Sequence, residues 1–459
     1  MDAAPRPPEL PKPLLRRHAV TFKMAGILAL VLVLLIPLSF IQSIISNRMS
    51  RRDEAVEEIT STWGRNQTLI GPVLVIPYTY KTKTWKEQVM NGRMEKLEVE
   101  EPARANAYFL PAELIVDGSV TPSTLHRAIY DAVVYKGKLD LSGRFDPPDF
   151  QGLGIAQEDM RWEDATVTLA VADLRGIADK LKITMGEQTC EFSPGCNLKG
   201  YPSGVSARVP GLQAGAKNLD FRMALDLKGS GEIRFAPVGQ KNRLKLTSTW
   251  PDPSFCGAFL PTERRVTANG FDATWEVSWY GRSYPQQSHG KGDGYAFTPE
   301  AISSSLFGVA FLYPVDTYRM AERSTKYGIL FIALIFTAFF LFEILSALRI
   351  HVFQYTLLGA ALCLFYLALL SLSEFVPFAC AYWAGAAASS LLIVLYSLKA
   401  LKSGRRTAII AAALLVIYAY LYVVLQLQDY SLLFGTAGLF VALAIVMFAT
   451  RNVDWYARE

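Results

Sequence analysis

From Tyr327 to Ala449 the chain is nearly continuous Leu, Ala, Ile, Val and Phe, and that run rules out most folds at once. An apolar stretch of about 20 residues crosses the hydrocarbon of a bilayer as a helix, which satisfies its own backbone hydrogen bonds where no water can. Short polar links divide the run into about Tyr327–Leu348, Gln354–Leu372, Pro377–Leu398, Thr407–Leu425 and Ser431–Ala449. A sixth candidate, Met24 to about Ile45, stands alone near the other end. A cleaved signal peptide is the rival reading of that segment, but its apolar region is shorter, about 7–15 residues, and ends at a small-x-small site. Here the apolar residues continue through Phe40 and Ile41 to Ile45 with no A-x-A, which predicts a retained signal anchor.

The links sort by charge. Arg349 and His351 follow the first C-terminal run, Glu374 the second, Lys399, Lys402, Arg405 and Arg406 the third, Asp429 the fourth and Arg451 the last. Lys and Arg in short loops mark the cytoplasmic side. With Arg16, Arg17 and Lys23 before the first helix, six helices put both termini in the cytoplasm and everything between the first two helices outside it. Arg48, Arg51 and Arg52 fall on the wrong side, but long domains translocate largely regardless of charge. The fold class expected is therefore a membrane protein of mixed α and β structure. It has a disordered, Pro-rich cytoplasmic tail at 1–23, a transmembrane helix at 24–45, a large β-rich extracytoplasmic domain at 46–325, a five-helix bundle at 326–450 and a cytoplasmic tail at 451–459.

The β assignment comes from period. After a helical pattern at Asp53–Thr62, apolar residues alternate at Glu113–Val120, Ala132–Leu141, Ala165–Ala172, Asp220–Leu227, Glu232–Phe235, Leu244–Thr249 and Ala273–Trp279, while Val73–Ile76 is a buried strand core. Asp117-Gly118, Asp146-Pro147-Pro148 and Asn269-Gly270 read as the turns between them. Many short strands at this spacing predict a sandwich, a barrel or a large twisted sheet. Cys190 and Cys196 flank Ser193-Pro194-Gly195 and are close enough to be a candidate disulfide in an oxidising compartment, leaving Cys256 over. Cys363 and Cys380 read as small core hydrophobes.

Chemistry is sparse. The four histidines are isolated, no CxxC or Cys/His zinc pattern occurs, and no phosphate-binding or nucleophile motif is present, so no catalytic residue, cofactor or metal is expected. A formal charge of +5 on scattered residues lacks the basic stripe that nucleic acid requires. Gly290, Gly292 and Gly294 alternate in HGKGDGY, which reads as a flexible loop. Asn66-Gln67-Thr68 fits the glycosylation pattern by chance. Glu343 lies well inside an apolar run near its cytoplasmic end, and an intramembrane carboxylate is by default a functional candidate. The bland reading is a structural polar contact; no second buried carboxylate or basic partner accompanies Glu343. Glu374 at the outer mouth reads first as an interface residue. Ala381, Gly385 and Ser389, and likewise Ala384 and Ala388, recur every fourth residue and allow close helix packing or dimerisation. Tyr418 and Tyr422 share a face and read as aromatic packing.

Four blocks of sequence carry a family resemblance: Trp63-Gly64-Arg65-Asn66-Gln67 with Gly71-Pro72-Val73-Leu74-Val75-Ile76-Pro77-Tyr78; Trp250-Pro251-Asp252-Pro253-Ser254-Phe255 with Gly257, Phe259-Leu260-Pro261 and Gly270-Phe271; Lys326 to Phe331 with Phe339 to Glu343; and Gln354-Tyr355 through Leu370 to Glu374. In order and spacing, from about residue 46 onward, the chain resembles the CreD family. The tail before residue 20 and the Cys190–Cys196 segment lie outside the resemblance. It implies a bacterial inner-membrane protein linked to cell-envelope integrity, to a sensor-kinase and response-regulator stress system, to colicin tolerance and to β-lactam stress. No biochemical activity comes with it, so it transfers no catalytic residues. The leading expectation is a non-enzymatic envelope protein whose partners are the bilayer and a periplasmic protein, lipid or cell-wall ligand. One alternative is a proton-coupled transporter or channel using Glu343. The other is a membrane enzyme acting on lipid or wall precursors, with Glu374 and Asp429 at its mouth.

Overall fold

The computed structural model describes residues 19–90, 93–213, 219–291, 295–311, 317–345, 350–401, 403–427 and 430–451. They form two compact units, one from Met1–Asp53 and Val315–Glu459, the other from Glu54–Pro314.

In the helical unit, the N-terminal segment is two helices, Ala19–Val33 and Leu35–Trp63, the second running on past Asp53. Pro37 explains the break between them: it has no N–H for the carbonyl four residues back, at Val33. Among the described residues six more follow at Thr317–Lys326, Gly328–Leu345, Val352–Ser373, Phe378–Leu401, Gly404–Gln426 and Ser431–Thr450. Among the described residues five helical spans, the two N-terminal helices counted together, are long and apolar enough to cross a membrane, and Thr317–Lys326 with Gly328–Ile344, a pair bent by 46°, makes a sixth when taken as one span. The bend falls beside Gly328, whose missing side chain admits Leu38 and Tyr366: a Cβ there would lie 3.1 Å from Leu38 and 3.3 Å from Tyr366.

The bundle centre is aromatic. The Tyr382 hydroxyl donates to the Tyr418 carbonyl at 2.8 Å, the Tyr418 hydroxyl lies 3.1 Å from Ser389 Oγ, and Ser389 donates to the Ala361 carbonyl at 3.0 Å. Ala381, Gly385 and Ser389 are buried, so this small-residue stripe is bundle packing, whereas Ala384 and Ala388 face outward. Cys363 is buried as expected. Cys380, expected in the core, is exposed, because its position on the helix turns it away from the packed stripe.

The β unit is two mixed sheets. One runs β13 (Pro253–Gly257), β17 (Phe307–Phe311), β11 (Glu232–Phe235), β1 (Gln67–Met90), β5 (Thr166–Val171), β9 (Gly204–Arg208), β8 (Ser193–Pro194), with β2 (Arg93–Phe109) also on β1 and β16 (Gln287–His289) on β2. The other runs β14 (Glu263–Thr267), β15 (Gly270–Ser278), β12 (Lys241–Ser248), β3 (Glu113–Arg127), β4 (Tyr130–Arg144), β10 (Asp220–Ser230), β6 (Lys182–Met185), β7 (Gln188–Glu191). One apolar cluster takes side chains from both, Leu74, Val167 and Phe307 from the first and Leu141, Leu225 and Trp275 from the second. Of the architectures the alternation allowed, this is a sandwich.

Two expectations change. Asp117-Gly118 is no turn but mid-strand in β3, between β4 and β12. Glycine is there for space, since a Cβ would lie 2.5 Å from Leu246 and 2.7 Å from Leu139. The Cys190–Cys196 bridge is not formed: both are free thiols. Cys190 is on β7 of one sheet, and the chain crosses at once to β8 of the other before Cys196, so the intervening turn is a crossover rather than a bracket. Burial pushes both thiols up.

Candidate functional site

Glu343 sits in the last turn of Gly328–Leu345, buried, and both its oxygens are hydrogen-bonded. Oε1 pairs with the Lys23 ammonium from the N-terminal helix and accepts from the Ile350 backbone N–H at 3.2 Å. Oε2 accepts from the Tyr355 hydroxyl at 3.1 Å. Lys23 also donates to the Ile350 carbonyl. The expectation that no basic partner accompanies Glu343 is thus corrected. Lys23 is 320 positions away and no local pattern reveals it, although loop charges already put both residues at one end of the helices. Tyr355 is only 12 positions away, but the contact depends on how the next helix folds back beside Glu343, which the apolar pattern does not show. Three donors thus occupy about three of the four acceptor sites on the two oxygens.

Glu374 closes the opposite end of the same unit. Its Oε1 lies 3.4 Å from Arg48 Nε and 3.3 Å from the Tyr318 hydroxyl, and Arg52 stacks over the Tyr318 ring at 5.8 Å. Gln42 donates to Glu322 at 3.2 Å, and Lys326 pairs with Glu322 at 2.9 Å. The arginines that sat on the wrong side of the charge rule thus include a partner for Glu374. Asp429, Gly292 and Gly294 lie outside the described residues. Among the described residues no group of His, Cys, Asp and Glu is assembled as for a metal ion.

The motif residues of the β unit build its entry. The helix Leu35–Trp63 ends at Trp63, whose ring lies under Lys228 at 5.3 Å and Lys136 at 6.0 Å. Gly64, at φ +141°, passes so close to the Lys228 carbonyl that a Cβ would stand 2.9 Å from it. Gln67 is fully buried and donates to the Asp173 and Lys228 carbonyls at 3.1 and 3.0 Å while accepting from the Asp173 N–H at 3.3 Å. The Arg175 guanidinium, with the Arg175 and Arg65 backbone N–H groups, holds the Asp173 carboxyl below its usual range. Asn66 donates to Glu232 at 3.4 Å, a structural role for the residue that matched the glycosylation pattern. In the second block, Trp250 donates to the Asp252 carbonyl at 3.1 Å, and Phe255 packs edge-on against Phe271 and Trp275. These motifs carry architecture rather than chemistry.

Apolar spans joined to a folded β sandwich, with ion pairs closing both ends of the helical unit, define a multi-pass membrane protein with a large non-membrane domain inserted after its first span. The family model described as inner membrane protein CreD matches residues 19–456. The chain is 34% identical over 437 residues to the inner membrane protein CreD of Escherichia coli (strain K12), covering 95% of this chain and 94% of that protein. The chain belongs to the CreD family of multi-pass inner-membrane proteins.

Proposed function

We propose that the chain is a non-enzymatic inner-membrane protein that supports cell-envelope integrity and the envelope stress response, including tolerance of colicins. Both termini face the cytoplasm, and the β unit lies in the periplasm, where it binds a periplasmic protein, lipid or wall component. The observation that carries this reading is the engagement of Glu343. Its contacts with Lys23, Tyr355 and the Ile350 N–H tie the first span to the bundle, which supports a structural brace. The name of the Escherichia coli relative mentions no enzymatic activity, and the distribution of Lys and Arg among the links supports the orientation.

The test is a deletion strain complemented by the wild type, by Glu343→Gln and by the anchor helices without the β unit, challenged with β-lactams, detergents and colicins. Rescue by the wild type and by Glu343→Gln, but not by the anchor alone, is the expected result. A deletion indistinguishable from its parent under every challenge refutes the envelope role, and reconstituted vesicles showing ion flux that stops in Glu343→Gln restore the transporter.

A further inference from the structure

Within the β unit, Tyr78 and Tyr80 share one face of β1 just past Pro77, Tyr78 buried and Tyr80 partly buried, their rings 5.9 Å apart and inclined at 42°. Directly opposite them on β2 stand Ala105 and Ala103, small residues that leave a trough above the sheet. Beyond β2, β16 ends at His289, and the chain continues through Gly290, tied to the Asn106 carbonyl at 2.8 Å, to Lys291. The segment from Leu153 to Asp159 walls the other side, pinned where Arg161 N–H meets the Pro77 carbonyl at 2.9 Å. The result is a cleft of about 440 Å³ lined by Tyr78, Tyr80, Leu153, Ile155, Asp159, His289 and Lys291 among others, within the range of small-molecule sites.

Its chemistry is mixed. Lys291 Nζ stands 4.8 Å from the centre of the Tyr80 ring and is in no ion pair among the described residues. His289 is partly buried and lines the cleft; its Nδ1 is shut from solvent, so the rest of the ring is what a ligand there can meet. Asp159, exposed at the rim, is the one acceptor carboxylate in the lining. Tyrosine faces suit the C–H face of a planar or puckered ring, the ammonium and imidazole suit an anionic group, and Asp159 suits hydroxyl or amide donors. An acyl chain gains nothing from that polar set, and an extended peptide would add along a strand edge rather than lie on the face of the sheet.

We propose that this cleft binds a saccharide carrying a carboxylate, with the sugar ring on Tyr80, its carboxylate on Lys291 and His289, and its hydroxyl or amide groups on Asp159. This rests on the binding role given to the β unit above and names the ligand class. The experiment is ligand-observed NMR and calorimetry on the full-length protein in detergent. The probes are N-acetylmuramic acid and glucuronic acid as carboxylated sugars, N-acetylglucosamine as a neutral one and inorganic phosphate as a bare anion. The carboxylated sugars bind. Lys291→Gln and Tyr80→Ala each weaken them about tenfold or more, and N-acetylglucosamine binds at least about tenfold more weakly than they do. Lys291 is exposed and Tyr80 partly buried against the core, so unchanged thermal unfolding certifies the variants. Equal binding of neutral and carboxylated sugars, competition by phosphate at equal strength, or no binding of either carboxylated sugar overturns the assignment. Those outcomes leave the envelope role standing if the wild type still rescues the deletion strain; a deletion without phenotype removes the envelope role and leaves the sugar measurement to be judged by itself.

Discussion

The Lys23–Glu343 pair makes a quantitative prediction. Glu343 keeps only 9% of its side chain exposed and Lys23 keeps 23%. Lys23→Met leaves a buried carboxylate with two neutral donors, Ile350 N–H and the Tyr355 hydroxyl. Breaking a buried pair by removing one partner costs about 3–5 kcal/mol, and the partial exposure of Lys23 argues for about 3. Glu343→Gln keeps an acceptor oxygen, and the freed ammonium reaches polar surroundings on its long stem, so its cost is about 1–2 kcal/mol. The double variant has no stranded charge and costs about 2 kcal/mol, giving a coupling of about 2–3 kcal/mol. The assay is reversible unfolding of the purified protein in mixed micelles of rising SDS content, for wild type, both single variants and the double. Additivity within about 0.5 kcal/mol would show that the two groups do not brace each other. So would a double variant worse than Lys23→Met alone.

Gln67→Leu strands the Asp173 N–H and two carbonyls at the entry to β1 and destabilises the β unit by about 1–3 kcal/mol for each group left unpaired, read by hydrogen exchange at β1 and β5. Gly118→Ala drives a methyl into Leu246 and Leu139 and costs about 1–3 kcal/mol in thermal unfolding; no loss would mean that β3 is not flanked as described. Asp173→Asn tests linkage. Because the folded carboxyl titrates below its unfolded value of about 3.9, its contribution is complete above that pH and disappears as pH falls through the folded value. The stability gap between wild type and Asp173→Asn is therefore full at pH 7 and narrows below about pH 4. Alkylation of the denatured protein without reductant labels Cys190 and Cys196 separately; a linked peptide in the digest contradicts the crossover geometry.

The spans were legible because a bilayer reads composition over about 20 residues and little else. Strands were legible where one face is buried: Glu232–Phe235 is predicted to the residue, and Ala132–Leu141 lies inside β4. Gly118 misled because a turn signal and a space requirement use the same residue, and only the neighbouring Leu139 and Leu246 distinguish them. Long-range polar contacts were the least legible. Glu343 was visible as an intramembrane carboxylate, but Lys23 is joined to it only by the folding of helices distant in sequence. The cleft at Tyr80 left still less trace, since it depends on β16 returning beside β2 nearly two hundred residues later.

The position of the charges bears on how the first span is held. Lipid is as apolar as the leucines that face it, so apolar burial gives one helix little reason to choose another, and packing and polar contacts must do so. The N-terminal helices engage the rest of the helical unit at both ends with charge: Lys23 with Glu343 at one, Arg48 with Glu374 and Gln42 with Glu322 at the other. Between them the contacts are apolar, Leu34 against the open face at Gly359 and Leu38 against Gly328, where glycines make room. A Cβ on Gly359 would stand 2.2 Å from Leu34, so Gly359→Leu must push the first span away while both ion pairs hold its ends. If the charges set the register and the glycines set the closeness, Gly359→Leu weakens helix association in micelles but leaves a disulfide engineered between positions 42 and 322, which spares both ion pairs, able to form. Loss of that crosslink would show that packing, rather than the ion pairs, fixes where the first span sits.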